Sequence, residues 1–135
     1  MNRTKSISAA TFYTKDHEWI NFRESLAYTG ICSFKLLGFK EIHEISFDRS
    51  IGLKKRGEVF ATIKYKDYHI EAHMPIDGQI IELNSGLLSD DKSILLRSPE
   101  NSGWIALILP TEPSQRMGLL ALKEYELRNK NKFIM

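Results

Sequence analysis

The stretch from Gly57 to Gly78 (GEVFATIKYKDYHIEAHMPIDG) does most to limit what this chain can fold into. Val59, Ala61 and Ile63 alternate with Glu58, Phe60 and Thr62, the period of two shown by a strand with one buried face. After a polar break at residues 64–67, Tyr68, Ile70, Ala72 and Met74 resume the alternation. Pro75 has no backbone N–H to give a ladder, so the second strand ends there. Asp77-Gly78 is a dipeptide that favours positive φ and predicts a turn into a further hairpin arm over residues 79–83. The expected unit is a hairpin with Lys66-Asp67 at its tip. A lysine there holds a primary amine out on two strands, as a carrier with a swinging arm requires. Any surface hairpin displays such a lysine too, so this feature alone does not decide between carrier and ordinary turn.

Composition narrows the class. With 135 residues, 42% of them hydrophobic and 27% charged, the chain reads as one globular domain. A domain of that size buries roughly two thirds of its unfolded surface. The net charge of +2 is too small to argue for nucleic acid or a membrane surface as partner. No apolar run approaches the roughly 18 residues of a membrane span. Cys32 is the single cysteine, so no disulfide framework forms within the chain, and its apolar setting after Gly30-Ile31 predicts a buried, inert thiol. The opening MNRTKSISAATF lacks the apolar core of a secretory signal and is expected as a frayed tail over residues 1–11. Arg3, Lys5 and the serines are also compatible with a transit peptide. The expected location is the cytoplasm, or the mitochondrial matrix in a eukaryote.

In chain order, Trp19 to Phe22 and Ser25 to Ile31 read as paired strands with a turn at Arg23-Glu24. His17 stands between Asp16 and Glu18, which raises a metal or acid–base reading. With no further ligand at metal spacing nearby, the residues favour a structural histidine and no metal site. Ser33 to Gly38 reads as one or two helical turns closed by a left-handed Gly38. Residues 41–47 follow as an edge strand, and residues 49–56 as a loop whose basic cluster Lys54-Lys55-Arg56 reads as a solvated turn, with a docking site for an acidic partner as the alternative. Residues 83–92 read as broken by loops and residues 99–103 as a turn. Trp104 to Leu109 (WIALIL) is the best candidate for a strand buried on both faces and stopped by Pro110. Trp104 is expected in the core between two sheets. From Ser114 the spacing of Met117, Leu120, Ala121, Leu122, Tyr125 and Leu127 predicts a helix capped by Thr111 or Ser114. Residues 129–135 are expected as a loose basic tail. There is no glycine-rich phosphate loop, no Cys-x-x-Cys and no Gly-x-Ser-x-Gly, so no enzyme activity of its own is expected. The residues by themselves predict a mainly antiparallel β domain with a C-terminal helix.

A resemblance extends this reading. Tyr13-Thr14-Lys15-Asp16-His17-Glu18-Trp19-Ile20 resembles the opening signature of the glycine cleavage system H protein family. Gly30-Ile31, Leu37-Gly38, Gly57-Glu58, Pro75-x-x-Gly78, Glu82-x-Asn84 and the segment from Pro99 to Trp104 follow in the family's order. The likeness runs from about Phe12 to Tyr125, within a single domain expected over residues 12–128. It implies a barrel-sandwich hybrid (hammerhead) of two small antiparallel sheets with flanking helices. It also implies a lysine at the hairpin tip that carries lipoic acid in amide linkage. That arm takes an aminomethyl group from a PLP-dependent decarboxylase, hands it to a folate-dependent aminomethyltransferase and is reoxidised by dihydrolipoamide dehydrogenase. A lipoate-attaching enzyme installs it.

This chain departs from the pattern at that point. Between Gly57-Glu58 and Pro75 the spacing matches the family without a gap, and the lysine position falls on Asp67. Lys66, one residue early, is the candidate lipoyl-lysine. Tyr65, Tyr68 and His69 replace the small residues that usually surround the arm, and the segment between Gly30 and Gly38 is about two residues short. The Met-Lys-Met pattern of biotin carriers is absent. Two readings follow: an H-like protein that has lost the arm and serves as a binding or regulatory module, or a working H protein lipoylated on Lys66.

Overall fold

A computed structural model describes residues 11–47, 52–89 and 91–134. The chain forms two antiparallel sheets, in agreement with the expected barrel-sandwich architecture. Six strands make the larger sheet: β1 (Thr11–Tyr13), β2 (Glu18–Arg23), β3 (Leu26–Ile31), β9 (Ala106–Pro110), β8 (Gly78–Leu83) and β5 (Leu53–Lys54), in that spatial order. Three strands make the smaller one: β4 (Glu44–Phe47), β6 (Val59–Tyr65) and β7 (Tyr68–His73), with β6 central. Residues 33–36 form a 3₁₀ turn, residues 86–89 and 94–97 form the one-turn helices α1 and α2, and α3 spans Leu122–Ile134. Among the described residues no helix is long and apolar enough to cross a membrane.

The core lies between the sheets. Ile31, Ile80, Ala106 and Ile108 face Ile45, Phe60, Ala61, Ile63 and Ala72, and Leu36, Ile42, Leu87 and Leu95 from the connections close its sides. The ladder Tyr28↔Leu107, Ala27↔Ile108 shows the alternation at work. Ala27 and Ile108 are fully buried, while Tyr28 and Leu107 stand on the outer face. The 3₁₀ turn ends as expected, with Gly38 at φ 91° just beyond it.

Several expectations need correction. Phe60 does not face solvent opposite Val59 and Ala61, because a bulge between Val59 and Ala61 inserts it as an extra residue. The bulge turns Phe60 inward beside Ala61, so both are 1% exposed and Val59 is only half-buried. Asp77-Gly78 is not a hairpin turn, because β7 and β8 belong to different sheets and residues 74–77 cross between them. Gly78 is needed for close packing rather than for positive φ: a Cβ there would meet Ile108 Cγ2 at 2.6 Å and the Leu109 carbonyl oxygen at 2.9 Å.

Trp104 precedes β9 and is half-buried on the outer face, edge-on to Tyr28 at 5.0 Å between centroids; Ile105 occupies the core instead. Lys54 is no part of a solvated cluster, being 7% exposed and paired across from Gly78 in β5. Residues 49–51 of that expected loop lie outside the described residues, as do residues 1–10 of the expected tail. The C-terminal helix begins at Leu122 rather than Ser114. Leu120 instead exchanges both backbone hydrogen bonds with Tyr13 (2.8 and 2.7 Å), and a residue bound in a bridge cannot also sit in a helix. The helix then continues through the expected tail to Ile134.

Candidate functional site

The β6–β7 hairpin keeps one unbroken register from Ala61↔Ala72 out to Tyr65↔Tyr68, leaving Lys66 and Asp67 as its two-residue loop. The loop takes its positive φ at Lys66, 55°, where a side chain costs about 1–2 kcal/mol relative to glycine. Its surroundings hold that conformation. The Lys66 backbone N–H donates to His43 Nδ1 at 3.0 Å. The Lys66 ammonium lies 5.3 Å from the centre of the Tyr65 ring. Tyr65 is 6% exposed, packed tilted against Phe39 at 5.8 Å and edge-on to His43 at 5.2 Å. The polar break read in the sequence therefore hides an anchoring aromatic. Asp67, Tyr68 and His69 are exposed. The tip is thus a braced turn presenting one amine and one carboxylate on successive residues.

A second polar cluster lies at the base of the same hairpin. Glu18, at the start of β2, is only 2% exposed. Its Oε2 accepts from Lys35 Nζ at 2.8 Å and the His73 backbone N–H at 3.0 Å, and lies 2.9 Å from His73 Nδ1. Its Oε1 accepts the Thr14 hydroxyl at 2.8 Å. Asp16 Oδ2 lies 3.0 Å from Lys35 Nζ and 2.6 Å from His73 Nδ1. Burial works against the charge of Asp16, but the Lys35 ammonium and His73 outweigh it and hold its carboxyl below the ordinary carboxylate range. Donor atoms of Asp16, Glu18 and His73 fall within 4.8 Å of one another, a geometry compatible with a metal ion. The Lys35 ammonium already bonds both carboxylates, so the cluster carries its own cation.

The sequence drew attention to His17, and the structure turns it elsewhere. His17 Nδ1 lies 2.9 Å from the Tyr125 hydroxyl, and its ring packs on Phe34 at 4.3 Å. His73 and Lys35 take the place beside the carboxylates. Only the packing of β7 and the 3₁₀ turn against the start of β2 brings them there, and no local spacing announced it. Cys32 is buried as expected, and burial pushes its thiol up to about 12, which keeps it protonated.

The described fold recurs in a known protein, and the sequence has known relatives. The family model described as Glycine cleavage H-protein matches residues 11–132. A glycine cleavage system H protein of Alkaliphilus oremlandii is 31% identical over 117 residues, covering 87% of this chain and 91% of that protein. One from Clostridium botulinum is 35% identical over 119 residues, covering 84% and 86%. The crystal structure of a glycine cleavage system H protein from Mycobacterium marinum superposes with a TM-score of 0.77 over 90% of this chain and 98% of that one. At 23% identity that last likeness speaks for the fold alone. Matched along nearly its whole length by the family model and by relatives more than 30% identical, the chain belongs to the glycine cleavage H-protein family.

Proposed function

We propose that this chain is an H-family protein without the lipoyl arm, acting as a binding or regulatory module beside the glycine cleavage enzymes rather than as their carrier. One observation carries the reading. The hairpin keeps its register to the tip, so the second loop residue, where the resemblance puts the carrier lysine, is Asp67. A lipoyl amide needs a primary amine there, and a carboxylate cannot supply it. The nearest amine belongs to Lys66, one residue earlier, whose ammonium leans over the Tyr65 ring. A one-residue offset on a hairpin sends a side chain to the other face. The tip therefore does not fit the arm as the family holds it.

The second reading, a working carrier lipoylated on Lys66, draws on the exposure of that residue and on the lack of a carboxylate partner for its amine among the described residues. On that reading the arm would serve the decarboxylase, the aminomethyltransferase and dihydrolipoamide dehydrogenase in turn. Incubation of the full chain with a lipoate-attaching enzyme, ATP and lipoate separates the two. The proposal expects the wild type to stay unmodified and Asp67→Lys with Lys66→Val to gain the lipoyl mass. An error of about 1 Å in placing a reacting group can cost 10²-fold in rate, so the one-residue offset is enough to make the wild type a poor substrate. Efficient modification of the wild type, abolished by Lys66→Arg, would establish the carrier reading instead.

A further inference from the structure

On the outer face of the larger sheet, far in sequence from the hairpin tip, a cleft of about 660 Å³ opens between the start of α3 and residues 99–104. This volume is typical of small-molecule sites, which pair apolar walls with a few placed polar groups. Trp19, Tyr28, Trp104 and Leu122 supply apolar parts of its lining. Trp19 is pinned, since its indole N–H donates to the Pro99 carbonyl at 2.9 Å. Tyr28 and Trp104 meet edge to face, stay half-buried and both line the cleft.

The polar groups sit at opposite ends. Arg23 closes β2, four residues beyond Trp19, or about 13 Å along the strand. Its Nε donates to Asn21 Oδ1 at 2.7 Å, and its guanidinium lies 5.5 Å from the Tyr28 ring centre. No carboxylate pairs with it among the described residues, so an oriented fork of donors faces the cleft without an anion. Glu100 stands at the Trp19 end. Part of its side chain is open to solvent, yet burial by its neighbours raises its carboxyl above the ordinary range.

We infer that this cleft binds a planar aromatic carboxylic acid, with the ring against Tyr28 and Trp104 and the carboxylate on the Arg23 guanidinium. An offset or edge-on ring contact adds to the area term, and a guanidinium holds a carboxylate through paired N–H donors. None of this depends on what Lys66 carries.

The test uses the full chain and two probes, indole-3-acetate and neutral indole-3-acetamide, followed by amide and indole N–H signals in ¹H–¹⁵N NMR. The inference expects saturable shifts from the acid centred on Trp104, Tyr28 and Arg23. It expects binding of the amide to be weaker by about tenfold, the factor that one charge-assisted pair supplies. Arg23→Gln should bring the acid down to the level of the amide while leaving the melting temperature unchanged. No saturation of the acid by about 10 mM, below which even weak millimolar sites fill, would overturn the inference. So would shifts centred elsewhere, or an Arg23→Gln variant that binds the acid as the wild type does.

Discussion

Glu18 shows most plainly what single side chains contribute here. A carboxylate 2% exposed is accommodated because Lys35, Thr14 and the His73 backbone supply it with donors at 2.8 to 3.0 Å. Removing one partner of a buried pair leaves the other charge uncompensated, at a cost of about 3–5 kcal/mol. Lys35→Met should therefore lower stability by that order in urea unfolding; a loss below about 0.5 kcal/mol, the range of surface changes, would show the pair to be idle. Asp16 adds a pH dependence. Its folded value lies below the ordinary 3.8, so its contribution is present above that value and is lost as the pH falls through the folded one. Asp16→Asn should melt below the wild type near neutral pH, and the gap should close in acid. A gap that widens as the pH falls would contradict the assignment. At this scale the sequence was only half legible: it flagged Asp16 and Glu18, but the histidine they use, His73, comes from β7, and the adjacent His17 turns toward Tyr125.

At the scale of elements, alternation and turn chemistry located β2, β3, β6, β7 and the 3₁₀ turn within a residue or two. The failures have one cause, which is that strand phase and helix onset depend on pairing partners. Phe60 faces inward because of a bulge, and the stretch before Leu122 is extended because Leu120 pairs with Tyr13. Arg116 fastens the same stretch, its guanidinium 3.6 Å from the centre of the Phe22 ring. Tyr125 then stacks on Tyr13 at 4.7 Å and docks α3 on the sheet. These placements separate two aromatic substitutions. Phe60→Ala empties a site 1% exposed and should cost about 3–5 kcal/mol. Trp104 sits at the edge of the outer cleft, so Trp104→Ala should cost only about 1–2 kcal/mol. Equal losses in denaturant midpoints would mean that Trp104 belongs to the core after all.

For the whole molecule, two sheets enclosing one core was legible from a few alternating runs, because each run had a single face to bury. Which strands share a sheet was not. The crossover from β7 to β8 rests on Gly78 packing under Ile108 and Leu109, a contact between residues thirty apart in sequence. The family follows from motifs spread over the chain and from relatives that cover most of it. The proposed function turns on the hairpin tip, where we propose that Asp67 holds the position of the carrier lysine and that Lys66 does not replace it. The most direct measurement is the intact mass of the protein isolated from the cell that makes it, with lipoate available. The account predicts the mass of the bare polypeptide. A species heavier by one lipoyl amide, mapped by fragmentation to Lys66 and missing from Lys66→Arg, would contradict it.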